Sequence, residues 1–402
     1  MRKTNVLLVI LVYLGFVSIG LPDGLLGVAW PSIRSFFQLP LPALGALLIM
    51  FTTGYVFSSF SSGHLLSRIN LGTLLALSCL ATAVSLLGYA LTPVWWVMVA
   101  LGTFAGLGAG AIDAGLNTYA ATNLSARSVN WLHACYGLGA ASGPLLMTTV
   151  LGAGYVWQWG YGVVGIGQLL LAVSFSCTLQ YWPSPSRAGE VTTLSSSAAS
   201  GSSTLQRPVM WLSMAAFFVY TGLEAAAGAW AYSLSTEARA ISMHTAGFWV
   251  SIYWSALTAG RVLFGLIAGK ASIPALLTLC MLTIASGAML LWLHVTDALS
   301  FLGLTLMGLA SGPIFPSLIA TTPERLGDAH TANGVGFQIA AAALGQALLP
   351  AFVGIAAQRS GLEIVGPTLL AASILLLIVY TSFPLVSRRL LPLETASSKV
   401  IS

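Results

Sequence analysis

The sequence predicts an all-α membrane protein of twelve transmembrane helices arranged as two pseudo-symmetric six-helix bundles. Three observations predict it. Of the 402 residues, 57% are hydrophobic and only 6% are charged. A soluble domain spends roughly a quarter of its residues on Asp, Glu, Lys and Arg, so lipid is the natural solvent for this chain. Apolar runs of the roughly 20 residues needed to cross a bilayer recur along its whole length. A spacing of glycines also repeats at one constant offset across the middle. Most of the 42 glycines lie within apolar runs, where they let membrane helices approach closely.

The runs come in order. The first, 5–30, follows Arg2-Lys3 like the core of a signal peptide, but it continues through Trp30 without an A-x-A cleavage site and reads as an uncleaved first helix carrying Asp23. The second, 42–66, leads into Gly63-x-x-x-Ser67-Arg68, and the third is 71–91. The fourth, 94–122, carries Gly106-Leu107-Gly108-Ala109-Gly110 and then Asp113 and Asn117, which share one helix face at a spacing of four. Arg127 and Asn130 precede the fifth, 131–154, which opens with His133; the sixth is 160–182. Residues 183–207 are rich in Pro, Ser, Thr and Gly and read as a cytoplasmic linker. The seventh, 208–234, holds Tyr220, Glu224 and Trp230, and the eighth, 245–268, holds Trp249, Tyr253, Trp254 and Arg261. The remaining runs are 272–294, 298–322, 331–356 (with Gln338 and Gln346) and 364–387. The chain thus divides into bundles at 1–182 and 208–402 joined by the linker.

With the N-terminus inside, eleven basic residues fall on the inner side: Arg2, Lys3, Arg68, Arg127, Arg187, Arg207, Lys270, Arg325, Arg388, Arg389 and Lys399. Arg34, Arg239 and Arg359 fall outside, and Arg261 lies within a helix. This positive-inside bias places both termini in the cytoplasm of a multi-pass inner-membrane protein. At an offset of 202 residues, Gly20-Leu21 falls on Gly222-Leu223, and Gly63 and Arg68 fall on Gly265 and Lys270. Gly106 and Gly110 fall on Gly308 and Gly312, and Gly143 falls on Gly345. Duplicated halves of this kind place a binding site at their interface, near the bilayer midplane.

On this topology, on the repeat and on Gly63-x-x-x-Ser67-Arg68, the chain resembles the major facilitator superfamily, whose loop after the second helix is typically G-x-x-x-D-R-x-G-R; here Ser67 replaces the Asp and the later basic residues are missing. The order Gly106-Leu107-Gly108, Asp113-x-x-x-Asn117, Arg127-x-x-Asn130-x-x-His133 and Gly139-Ala140 is similar to the fucose permease group of proton-coupled sugar symporters. That resemblance implies that Asp113 binds and releases the coupling proton, and that His133, where the group commonly has Gln, contacts sugar. The group also has an acid in its first helix; Asp23 is the candidate, about one turn out of alignment.

An ionisable group at membrane depth costs at least about 2.5–3.5 kcal/mol on insertion scales and is therefore a functional candidate. Asp23, Asp113 and Glu224 are the expected proton-coupling acids, since a carboxyl group in a low-dielectric cleft holds its proton at higher pH than in water. Glu224 lies one residue from the repeat partner of Asp23, so the two acids are expected to face each other across a central space. Asn117, His133, Gln338, Tyr253 and Trp254 are candidates for solute contact, and Arg68, Arg127 and Arg261 for structure or gating. Glu224 and a carbonyl are the alternatives for Arg261's partner. The alternative for Asp113 is a plain helix–helix hydrogen bond to Asn117 or His133, and for Trp230 and Trp249 an interfacial anchor.

No nucleophile–base pair, metal spacing or phosphate loop suggests an enzyme, and no basic patch suggests nucleic-acid binding. The four cysteines show no paired spacing and read as small apolar residues. A non-transporting receptor would be expected to lose the intramembrane acids or to add a soluble domain. The expected protein is a monomer in the bilayer that takes up a sugar or similar polar solute without a cofactor, coupled to protons or, alternatively, to sodium. The other functional reading is proton-driven efflux of an amphipathic compound, on the resemblance of Gly139-x-x-x-Gly143-Pro144 to an exporter motif whose later glycines are here Leu145, Leu146 and Met147.

Overall fold

The computed structural model describes residues 6–124, 126–182, 200–267 and 272–384. The first six long helices are α1 (Val6–Phe37), α2 (Ala43–Leu66), α3 (Leu71–Leu91), α4 (Trp95–Asn123), α5 (Ala126–Gly152) and α6 (Gln158–Cys177). The second six are α7 (Pro208–Ser233), α8 (Met243–Ile267), α9 (Ile273–Leu293), α10 (Asp297–Ser311, resuming as Ile314–Ala320), α11 (Asp328–Ser360) and α12 (Val365–Thr381). Eleven of these regions are long and apolar enough to cross a membrane. The twelfth, α8, adjoins residues outside the described ones, and it packs between α5 and α10.

The repeat seen in the sequence is a repeat of packing. In the first half α1 packs on α5, α2 on α4, α3 on α6 and α3 on α4; in the second half α7 packs on α11, α8 on α10, α9 on α12 and α9 on α10. The halves meet through α1 with α7, α5 with α8 and α2 with α11. The glycines explain why the offset is strict. A Cβ at Gly106 would run into the carbonyl oxygen of Phe51, and one at Gly308 into that of Tyr253. Gly110 lies against the carbonyl of Tyr55 and Gly312 against that of Leu257. Each contacted residue is also 202 positions from its counterpart. Without a hydrophobic force between helices in lipid, such backbone proximity carries the packing. Even a helix start repeats: the Asn70 side chain accepts from Gly72 N at 2.7 Å to cap α3, and Ser272, 202 residues on, accepts from Ala275 N at 3.3 Å to cap α9.

Three boundaries differ from the sequence expectation. α1 runs to Phe37 rather than Trp30, through both Pro22 and Pro31. Its extension places Arg34 against Glu237 of the other half in an ion pair. The tenth run is broken at Gly312-Pro313 because Pro313 and Pro316 lack the N–H groups that would bond the carbonyls of Leu309 and Gly312. The expected linker is partly helical, with Ser200 capping Gly201–Leu205 through a bond from Ser203 N at 3.2 Å. The rest of it, 183–199, lies outside the described residues, as do Arg2, Lys3, Arg187, Lys270, Arg388, Arg389 and Lys399.

Cross-half ties gather at the end opposite the linker. Besides Arg34–Glu237, Leu41 N donates to Gln358 Oε1 at 3.0 Å, and Gly354 packs against Pro42. Midway along, Ser251 Oγ donates to the Ala141 carbonyl at 2.7 Å.

Candidate functional site

Three carboxyl groups stand inside the bundle, and each is held by a tyrosine. Tyr136 on α5 donates to Asp23 Oδ2 on α1 at 2.7 Å. Tyr55 on α2 donates to Asp113 Oδ2 on α4 at 2.6 Å, while Asn117 Nδ2 donates to Asp113 Oδ1 at 2.9 Å. On α7 the Tyr220 hydroxyl contacts the Glu224 carboxyl one turn further on. All three acids, and Asn117, are partly buried.

The glycines position these pairs. Gly20 and Gly24 press α1 onto the carbonyls of Tyr136 and Ala140, so α5 cannot avoid presenting Tyr136 to Asp23. Gly106 and Gly110 do the same for α4 against α2 around Tyr55, one turn before Asp113. Sequence spacing alone brings Tyr220 to Glu224, since residues four apart are neighbours on a helix.

The acids form one electrostatic neighbourhood. Asp23 feels the charges of both Glu224 and Asp113, which brings the acids of α1 and α7 into reach across the interface between halves. Arg261 on α8 acts on Glu224, yet its guanidinium is bonded elsewhere: Nε donates to the Gly312 carbonyl at 3.3 Å. That carbonyl is one that Pro316 leaves without a helical donor, and side chains of neighbouring helices commonly satisfy such groups in membranes. Of the two partners considered for Arg261, the carbonyl is the one in contact. A second carbonyl at the break, Ser311, accepts from the Tyr220 hydroxyl at 2.8 Å. Tyr253 donates to the backbone carbonyl of Glu224 at 2.9 Å and so bonds α8 to α7 beside the acid.

The other candidates are distributed. His133 is exposed in the first half of α5, with its ring edge-on to Phe16 at 5.7 Å. Gln338 is fully buried; its amide donates to Ser213 Oγ at 3.1 Å and accepts from Thr322 Oγ1 at 3.0 Å, which links α7, α11 and the short helix Thr322–Leu326. Trp254 is buried against Gly228 and edge-on to Tyr253. Trp230 is buried too, donating to the Pro350 carbonyl at 2.9 Å. Arg68 is exposed after α2, and the side chains of Arg127 and Asn130 lie outside the described residues.

Sequence reading missed Tyr55 and Tyr136 altogether. Neither lies near its acid along the chain, and a lone tyrosine in an apolar run has the same pattern whether it faces lipid or a carboxylate. Tyr220 was noticed as an aromatic, but its spacing of four from Glu224 was the stronger signal.

A sequence profile described as Major Facilitator Superfamily matches residues 12–350. Among curated proteins, none matches the chain by sequence. The fold is similar to that of a bacterial homologue of the human lysosomal transporter Spinster in an inward-facing, occupied conformation, with a TM-score of 0.79 and 13% identity over 98% of each chain. It is also similar to a mutant of the nucleoside transporter NupG, with a TM-score of 0.77 and 14% identity over 94% of this chain and 100% of that one.

Proposed function

This chain belongs to the Major Facilitator Superfamily as a multi-pass membrane transporter, and from that premise we propose that it carries a sugar or similar small polar solute together with protons by alternating access. The observation that carries the reading is the set of three tyrosine-bound carboxyls on α1, α4 and α7, within electrostatic reach of one another where the halves meet. Several carboxylates that close, in a poorly solvated setting, are not all ionised without cost. A proton that settles on Asp113 withdraws one of its two acceptor oxygens. The donor on that oxygen, Tyr55 or Asn117, then becomes available to a hydroxyl of a solute, and proton and solute binding are linked. With the linker end taken as cytoplasmic, the ties at the opposite end support an inward-facing reading of this conformation.

The chemistry is tested by thermal unfolding of purified protein against hexoses, pentoses, nucleosides (the solutes named for one structural neighbour) and common efflux substrates. A ligand present at a hundred times its Kd stabilises by about 2.7 kcal/mol. Sugars are expected to raise the unfolding temperature. A response confined to amphipathic cations would instead select the efflux reading. That second reading draws on a cavity of about 620 Å³ between α2 and α11, lined chiefly by apolar side chains such as Phe57, Phe60, Leu344 and Leu348.

The far-end ion pair gives a test of alternating access. Each partner is partly exposed, with side-chain accessibilities of 27% and 28%, so the pair contributes about 0.2–1 kcal/mol. Arg34→Glu is expected to shift the population toward opening at that end by a few-fold, and the doubly swapped Arg34→Glu, Glu237→Arg protein to return it. Spin-label distances across that end measure the shift; no change in Arg34→Glu would remove the pair from gating.

A further inference from the structure

Two carbonyls at the break in α10, those of Ser311 and Gly312, take their donors from the immediate surroundings of Glu224. Ser311 accepts from the Tyr220 hydroxyl, which also contacts the Glu224 carboxyl. Gly312 accepts from Arg261, whose charge acts on Glu224. The hydrogen count at Tyr220 is decisive. A phenol has one hydrogen to donate, whereas a backbone carbonyl can only accept. Both contacts of the Tyr220 oxygen are hydrogen bonds only when that hydrogen goes to Ser311 and a proton on Glu224 is donated to the phenol oxygen. An ionised Glu224 has nothing to donate, and it competes for the phenol hydrogen as a stronger, charged acceptor.

We propose that Tyr220 is a positioning residue that links the proton on Glu224 to the break in α10: with Glu224 neutral, Tyr220 holds the carbonyl of Ser311, and with Glu224 ionised its single hydrogen turns to the carboxylate and releases that carbonyl, while Arg261, with five donors, keeps Gly312. The segment Ile314–Ala320 is then freed to move relative to Asp297–Ser311, because Pro313 and Pro316 remove two of the helical bonds that would otherwise bridge the gap. The O–H bond of Glu224 is the only covalent bond broken, its proton passing to water, and one hydrogen bond, that of the Tyr220 hydroxyl, changes acceptor. The groups facing Glu224 are Tyr220 from its own helix, Tyr253 and Arg261 from α8, Asp23 from α1 and Tyr136 from α5. α10 offers backbone carbonyls, and the ionisable residues of α11 and α12 (Asp328, His330, Arg359 and Tyr380) lie near their ends. The proposal rests on the proton-coupled reading for its role in transport, but the switch itself needs no solute.

It is tested by amide hydrogen exchange of purified full-length protein in lipid nanodiscs, with no solute present, across a pH series corrected for intrinsic exchange. In the unsubstituted protein, protection over Ile314–Ala320 is expected to fall by about fivefold as pH rises, within the range that the loss of one neutral hydrogen bond supports. Glu224→Gln is expected to keep the segment protected at every pH. Tyr220→Phe is expected to leave it weakly protected at every pH, while α3 exchanges as in the unsubstituted protein and thereby reports an intact fold. A pH dependence over Ile314–Ala320 that persists in Tyr220→Phe would overturn the proposal, as would its absence from the unsubstituted protein. Failure to find proton-driven solute movement would overturn the transport reading alone and leave these exchange results as they stand.

Discussion

Asp113→Asn protein is expected to equilibrate its solute across a membrane without concentrating it. If one proton accompanies each solute molecule, each unit of pH difference supports about a tenfold solute ratio, since a pH unit is worth 1.36 kcal/mol per proton. An amide at position 113 cannot bind and release that proton, so the ratio is expected to fall to about one whatever the imposed gradient. Exchange of labelled for unlabelled solute should persist in part, because solute binding and the rocking of the halves remain. The substitution should also spare the fold. Asp113 is held by Tyr55 and Asn117; the amide oxygen of Asn keeps one of these bonds, and the Tyr55 hydroxyl, donor or acceptor as required, turns to receive the new N–H. Reconstituted vesicles with an imposed pH gradient measure accumulation, and thermal unfolding monitors the fold. Undiminished pH-driven accumulation in this variant would remove Asp113 from the coupling role.

Gly308→Leu is expected to abolish folding of the second half, and Gly106→Leu that of the first. In each case the new side chain begins inside a backbone carbonyl of the facing helix, that of Tyr253 or Phe51, and no rotamer relieves a clash that starts at Cβ. Ordinary overpacking costs about 1–3 kcal/mol, but it assumes that flexible side chains give way. Here two helix backbones must separate, in a protein whose total stability is on the order of 5–15 kcal/mol. The repeat supplies its own control. Gly63 and Gly265 are also 202 residues apart, and a Cβ at either meets nothing within 4 Å. Gly63→Leu and Gly265→Leu should therefore give monodisperse protein on size exclusion in detergent, while the other two variants aggregate. Equal behaviour of all four would mean that the spacing of glycines does not set the helix contacts.

These glycines also show why so much of the fold was legible. Lipid removes most of the ambiguity of a soluble chain, since apolar runs can only be helices there, and a duplicated sequence repeats its close contacts at one offset. Turns were harder. The break in α10 is written in Gly312-Pro313 and Pro316, but an apolar run hides its own prolines from a reading based on hydropathy. α1 outran its expected end because Pro31 and Arg34 resemble a stop, while the helix is drawn on to bring Arg34 to Glu237.

The site was legible in its acids and illegible in their partners. A carboxyl within an apolar run announces itself through its cost. Tyr55 and Tyr136 have no such mark, and only the packing of α2 on α4 and of α1 on α5 brings them to Asp113 and Asp23. Gln338 carried the same mark as the acids, polarity in an apolar helix, yet its amide spans Ser213 and Thr322. Polarity identifies a residue that needs a partner; whether the partner is protein or solute depends on which neighbours the fold delivers.

Movement of protons with solute through the purified protein is the most direct measurement. Vesicles loaded with a pH-sensitive dye and held without any imposed gradient are given a sugar that stabilised the protein in the thermal screen. The account predicts that the interior acidifies as the sugar enters, and that the Asp113→Asn protein admits sugar without acidification. Entry of sugar into vesicles of the unsubstituted protein with no change in internal pH, or entry that follows sodium alone, would contradict it.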